Sequence, residues 1–250
     1  MALSTHQDRN AYIASLELDE SRRPSAAPRA VRFADGDEAA YVDAGSLVSF
    51  AVGVSAEHQS DILNSTLLAQ LAANKKYNRE TQTVEWYAFY HEVLENIGWV
   101  IQDFSFTRFS ASGGSASVDA VVMTLLAALA TGSQLALAQT TIKALQSLPA
   151  NDSRVVLFET NSHTMDKGNF QIGLANDDGG IPVMTFGAFY FSSSQQVTRL
   201  FSWEFKDSDT SFYQATETVS LNEDVYGQVR QQIIQKLGAN ATLFVANLDI

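Results

Sequence analysis

The sequence predicts an α+β protein: a mainly antiparallel β-meander packed against N-terminal helices and an Ala-rich helical element, with one amphipathic helix near the C-terminus. Two segments in the first half, 55–77 and 84–97, repeat apolar residues at helical spacing. After Pro149, runs of Val, Ile, Phe and Tyr are separated only by short turn signals. Strands joined so closely pair antiparallel, because a parallel pair needs a long crossover. Between these halves lies an Ala- and Leu-rich tract, 120–142, without a single charge.

Taken in order, residues 1–29 read as a flexible N-terminal arm, since "SRRPSAAPRA", with Pro24 and Pro28, has neither helical nor strand periodicity. Residues 30–250 read as one α+β domain. The stretch 29–54 has strand composition with a turn at Asp35-Gly36. In 55–77, Ile62, Leu63, Thr66, Leu67 and the 69–71 run form an apolar stripe. Lys75 and Lys76 fall near its C-terminus, where cations complement the helix dipole. The second helix sets Trp86, Phe89, Tyr90, Val93, Leu94 and Ile97 on one face and stops at Gly98. Segment 99–109 reads as a strand, Phe104 and Phe106 alternating with Ser105 and Thr107.

Beyond Pro149, the segments 154–159, 168–174, 181–193, 197–206 and 211–221 read as strands. Turn signals lie at 176–180, 192–196 and 207–210. A last helix has Asn222 as N-cap, Val225, Val229, Ile233 and Leu237 as its stripe, and Gly238 beyond its end. Residues 241–250 read as a closing strand.

The uncharged tract decides whether the chain meets lipid. A membrane span needs about 20 predominantly apolar residues, whereas here Thr124, Thr131, Gln134, Gln139, Thr140 and Thr141 interrupt. Val118, Val122, Leu125 and Leu129 form one stripe, and Leu135, Ala138, Ile142 and Leu145 the next, which suits a helix facing a core. Thr131-Gly132-Ser133 breaks the tract into a hairpin, or one long helix runs through. Membrane contact is therefore expected only after a conformational change.

A formal net charge of −12 argues against a nucleic-acid partner, which needs a basic stripe, and disfavours anionic membrane surfaces. With no cysteine, thiolate metal sites and a Cys nucleophile are excluded. No cationic and apolar leader opens the sequence, so a cytoplasmic location is expected, with release by lysis or dedicated export left open.

The search for chemistry yields fragments. His91 and Glu95 share a helix face, but "HEVLE" lacks the second His of a zinc-protease motif. Ser115 in "GGSAS" resembles a nucleophile elbow with Ser117 where the final Gly belongs, and His163 is the one histidine in the later half. The acidic turns at 35–38 and 176–180 do not match a calcium loop. No catalytic, cofactor or metal site is expected.

The expected function is that of a non-catalytic, self-associating protein, a subunit of a homo-oligomer or larger assembly. The expected contact residues are Arg22, Arg23, Arg29 and Arg32, a basic group on an acidic chain, together with Phe189, Phe191, Phe201, Trp203 and Phe205, large rings on strands apolar on both faces. The alternatives are a soluble cytotoxin that inserts segment 118–148 into membranes, and a hydrolase of unknown substrate.

Overall fold

The computed structural model describes residues 5–24, 31–33, 35–102, 104–110 and 114–250. It is an α+β fold. Helix α1 (His6–Ser15) is followed by the hairpin β1 (Ala39–Asp43) and β2 (Ser46–Phe50). Helices α2 (Ala56–Lys76) and α3 (Thr83–Asn96) come next, then the short strands β3 (Trp99–Val100), β4 (Thr107–Phe109) and β5 (Ser115–Ser117). Three helices follow, α4 (Val118–Leu126), α5 (Gly132–Ser147) and α6 (Ser153–Ser162). The long strands β6 (Lys167–Asp178) and β7 (Ile181–Ser193), the short β8 (Glu204–Lys206) and the long β9 (Thr210–Leu221) build the centre. Helices α7 (Glu223–Leu237) and α8 (Asn240–Leu243) and strand β10 (Val245–Leu248) close the chain.

The main sheet runs β10-β1-β2-β6-β7-β9-β3, with β4 also on β9, while β5 and β8 pair separately. Every pairing is antiparallel except β2 with β6. That one parallel pair is separated in sequence by five helices, the long connection a parallel pairing demands. The β6–β7 hairpin turns through Gly179 and Gly180, whose φ angles of 64° and 92° are those of the tight turn that matches strand twist.

Register divides the sheet into two unlike faces, because alternate residues of a strand point oppositely. Phe170 pairs with Phe189, and Phe191 with Phe212, so these rings share an aromatic face with Leu47 and Ser49. The opposite face carries Asp43, Ser46, Asn169, Gln171 and Glu217, all buried. Helices α2 and α3 cover this polar face through directed bonds. Thr66 donates to Asp43 Oδ2 at 2.6 Å, Gln70 to the Asp43 carbonyl at 3.1 Å, and Tyr87 to Asn169 Oδ1 at 2.7 Å. Gln171 donates to Tyr87 at 2.8 Å and accepts from Ser46 at 2.8 Å. Helices α4, α5 and α6 cover the aromatic face.

The structure departs from the sequence expectations in local ways. Segment 154–159 is part of helix α6, not a strand. Asp152 caps it by accepting from Arg154 N at 2.9 Å, and Val155, Phe158 and Ser162 fall on its buried side. The two adjacent valines mimic a strand, but Val156 simply points to solvent. The expected arm begins with an ordered helix: Thr5 caps α1, Ile13 is fully buried, and Lys236 of α7 donates to the Ala14 carbonyl at 2.8 Å. The first hairpin turns at Ala44-Gly45, and Asp35-Gly36 forms a bend ahead of it with Gly36 at a φ of 83°. Among the described residues of segment 99–109, only the two ends are in strands. Segment 197–206 forms a 3-10 turn, Leu200–Ser202, before β8. The closing segment spends 240–243 in α8 before β10.

Gly168 has no room for a side chain, since a Cβ there would overlap the Phe191 ring, which is itself packed on Trp203 and Phe212. Gly168→Ala is expected to lower unfolding free energy by about 2 kcal/mol, the usual cost of forcing an extra methyl into a full core. Urea denaturation checks this, and a variant as stable as the parent would show that the ring can move aside.

Candidate functional site

The uncharged tract folds as a helical hairpin laid on the aromatic face. Helix α4 starts as β5 ends, with Asp119 in its first turn accepting from Ser117 Oγ at 2.5 Å. It buries Val118, Val121, Val122 and Leu126, and Leu126 lies over Gly187 of β7. The break between the helices is a capping box. Thr131 accepts from Gln134 N at 3.3 Å, and Gln134 Oε1 accepts from Thr131 N at 2.8 Å. Helix α5 then buries Leu137, Ala138, Thr141, Ile142 and Leu145.

The outward side of the hairpin is unusual. Ala120, Thr124, Ala127, Ala128, Leu129, Ser133, Ala136, Gln139 and Thr140 face solvent, Leu129 at 45% exposure, and none is charged. Solvent-facing helix surfaces normally carry charged residues opposite their apolar stripe. No helix among the described residues is long and apolar enough to cross a membrane.

The hairpin is fastened lightly. Ser49 and Thr141 share a hydrogen bond of 2.8 Å, and Gln134 donates to Asn176 at 3.1 Å. Gln146 donates to the Phe201 carbonyl at 2.9 Å, and Arg199 donates to the Leu145 and Leu148 carbonyls, 2.9 Å each. Among the described residues no ion pair joins the hairpin to the sheet. A groove of about 220 Å³ runs between α4 and α5, over Met123 and Ile142, with Asp119 and Lys143 at its rim.

Beneath lie the rings expected at an interaction surface. Phe189, Phe191, Phe201, Trp203 and Phe205 are all core residues here, none more than 6% exposed. Phe191 packs on Trp203 at 4.9 Å, Phe205 stacks on Phe212 at 5.4 Å, and Phe201 stacks on Phe158 at 5.3 Å. Arg22 and Arg23 are bonded within their own chain, while Arg32 is exposed. Arg22 pairs with Glu80, and Arg23 with Glu20 at 3.2 Å and Asn240 at 2.7 Å. The backbone of Arg32 is held by the Asn247 amide at 2.9 and 2.6 Å. Arg29 lies outside the described residues.

The fragments of catalytic motif do not assemble. Glu95 is exposed, and His91 faces Glu217 of β9 at 3.8 Å instead. His163 is bound to Glu159 at 2.5 Å and to the Thr164 carbonyl at 2.7 Å, while Ser115 sits in β5 opposite Lys206. Asp35 caps α2 by accepting from Ala56 N at 3.2 Å. Asp177 accepts from Gly180 N at 2.5 Å and pairs with His58 at 3.1 Å. Among the described residues no three His, Asp or Glu side chains could hold a metal.

Sequence reasoning missed the buried ionisable groups of the polar face. Asp43 is fully buried, and desolvation raises its carboxyl to about 8 against the bond from Thr66, so it is held neutral at pH 7. Arg79 lies 3% exposed over the Trp86 ring, its guanidinium donating to the Asn169 carbonyl, and burial lowers it to about 10. One trace of this was visible: Thr66 and Gln70 lie four apart on the apolar side of α2, where a polar side chain needs a buried partner.

No family model and no curated protein matches the chain. Among solved structures, the chain is similar to the Evf virulence factor, with 14% identity and a TM-score of 0.39, covering 95% of this chain and 90% of that one. It is also similar to a delta-endotoxin, with 10% identity and a TM-score of 0.43, covering 76% of this chain and 84% of the other. At these scores neither likeness decides a function.

Two outcomes are expected. In Arg199→Gln the last turn of α5 loses its carbonyl cap, so amides of 143–147 should exchange with deuterium faster while those of β7 stay unchanged; the loss of about 1–2 kcal/mol is local. For Asp43, the raised folded pKa means that stability falls as pH rises from about 4 towards 8, by roughly 1.4 kcal/mol per unit. Asp43→Asn keeps the shape of the neutral acid and should flatten that slope, gaining on the parent at pH 7 and not at pH 4 in urea titrations.

Proposed function

We propose that the protein is a cytotoxin that acts on membranes through the α4–α5 hairpin, which leaves the aromatic face and enters the bilayer interface. One observation carries this reading: the hairpin is free of charge from 120 to 142 on its outward side as well as its inward side. Placing charge near hydrocarbon costs several kcal/mol per group, and the hairpin carries only Asp119, in the first turn of α4, and Lys143, in the second half of α5. Helix α5, 16 residues and roughly 24 Å long, suits a position in the interface more than a complete span.

The fastenings support the same reading, since they are five neutral or carbonyl-directed side-chain hydrogen bonds and the backbone bond from Val118 N to the Trp203 carbonyl at 3.1 Å, with no ion pair among the described residues. Release would uncover the Phe189 ring and the Gly187 backbone, over which Leu126 lies, apolar surface that water does not tolerate. Lipid or a second copy of the chain would cover them. Self-association of this protein is thus proposed as a consequence of release, through the surface that is buried beforehand.

A reversible lock tests the proposal. The chain has no cysteine, and the Ser49 and Thr141 hydroxyls are 2.8 Å apart, so Ser49→Cys with Thr141→Cys can form a single disulfide between α5 and the sheet. The parent should release dye from phosphatidylcholine vesicles. The oxidised variant should release it at least about tenfold more slowly, as expected when one state of a two-state equilibrium is denied, and reductant should restore the rate. Leu129→Glu, on the exposed side, should fold normally and leak poorly. A parent that leaks from neither neutral nor anionic vesicles, or a locked form as active as the parent, would overturn the assignment.

A further inference from the structure

On the polar face, away from the hairpin, a histidine lies largely buried among rings, 12% of its side chain exposed. His91 of α3 is met edge-on by Phe104 at 4.0 Å, with Tyr90 at 5.8 Å and Phe186 of β7 at 6.4 Å. Its Nε2 is buried and has no hydrogen-bond partner. Among the described residues, the ionisable groups facing it are the Glu217 carboxylate of β9, at 3.8 Å, and the phenol of Tyr90 on its own helix. The rings continue outward from Phe104 to Phe106 at 5.0 Å, from Phe106 to Tyr190 at 4.8 Å, and from Tyr190 to Tyr213 at 4.7 Å. Segment 104–109 therefore rests on α3 and β7 chiefly through aromatic contact, supplemented by the β4–β9 ladder and the Gln214–Thr107 bond of 2.6 Å.

We infer that this corner is an acid-sensitive switch: protonation of His91 makes its ring-lined site untenable, and segment 104–109 separates from α3 and β7, exposing Phe104, Phe106, Tyr190 and Tyr213. An imidazolium needs donors satisfied at both nitrogens and cannot be left dry. Burial already lowers His91 to about 4 even with Glu217 at 3.8 Å, so the carboxylate does not compensate the lost hydration. The sign follows. With the ordinary value of 6.5 restored when the site opens, the closed form is favoured above pH 6.5 and loses ground as pH falls towards 4. The opening equilibrium rises roughly 20-fold between pH 7 and pH 5. The inference stands apart from the membrane proposal, because it needs no lipid and concerns the other face of the sheet.

Hydrogen–deuterium exchange of the full chain at pH 7 and pH 5, corrected for intrinsic rates, tests it. Amides of 104–109 should lose protection by about 20-fold at pH 5 relative to those of β6 and β7, which report global opening. His91→Phe fills the site with a ring that cannot ionise and should abolish the acid response, and His91→Gln should do the same if the phenylalanine variant folds poorly. Protection that is unchanged or increased at pH 5 would mean that Glu217 accepts the new charge, and would overturn the inference. An equal acid response in His91→Phe and the parent would overturn it as well, placing the titration elsewhere.

Discussion

Both faces of β6, β7 and β9 carry side chains that must be kept from water, and that requirement shapes the whole molecule. Strands of 12 or 13 residues leave two broad surfaces, and a sheet needs a layer of other elements on each apolar side. Helices α2 and α3 supply one layer and α4, α5 and α6 the other. The parallel junction of β2 with β6 is what allows five helices to lie between two adjacent strands and be dealt to opposite sides.

The two layers are attached by different physics. On the polar face, Asp43, Thr66, Gln70, Tyr87, Asn169 and Gln171 form directed bonds that satisfy buried groups in one arrangement only, and breaking any of them strands a polar atom. On the aromatic face the contact is mostly hydrophobic and has no required direction. An apolar surface held this way is indifferent to whether a helix, a lipid tail or another protein covers it. The proposed membrane-directed role of the α4–α5 side draws on that asymmetry.

Charge is distributed to match. The net charge of −12 is absent from the outward side of the hairpin between 120 and 142, and much of the remaining charge near the sheet edges is tied up internally. Arg230 alone meets Asp61, Glu223 and Glu57 at 2.7 to 3.3 Å, holding α7 to α2. Arg22 fastens the chain after α1 to the body through its ion pair with Glu80, and Arg23 through its hydrogen bond to Asn240.

Local pattern sufficed where one residue's preference and its surroundings agree. Helices α2, α3 and α7, the long strands and the turn at Gly179-Gly180 follow from apolar period, capping residues and glycine's tolerance of positive φ. The α+β class and the neutrality of the hairpin were legible for the same reason. Tertiary contacts decided the rest. Val155 and Val156 favour a strand, yet α6 forms because Asp152 caps it and its buried side meets Phe201 and the sheet. The five rings from 189 to 205 look the same in a sequence whether they meet another chain or, as here, one another and Phe158, Phe170 and Phe212. The pairing of His91 with Glu217, and of Asp43 with Thr66, joins residues far apart in the chain. Composition and spacing report which side chains want to leave water, while only the packed chain determines what each of them meets.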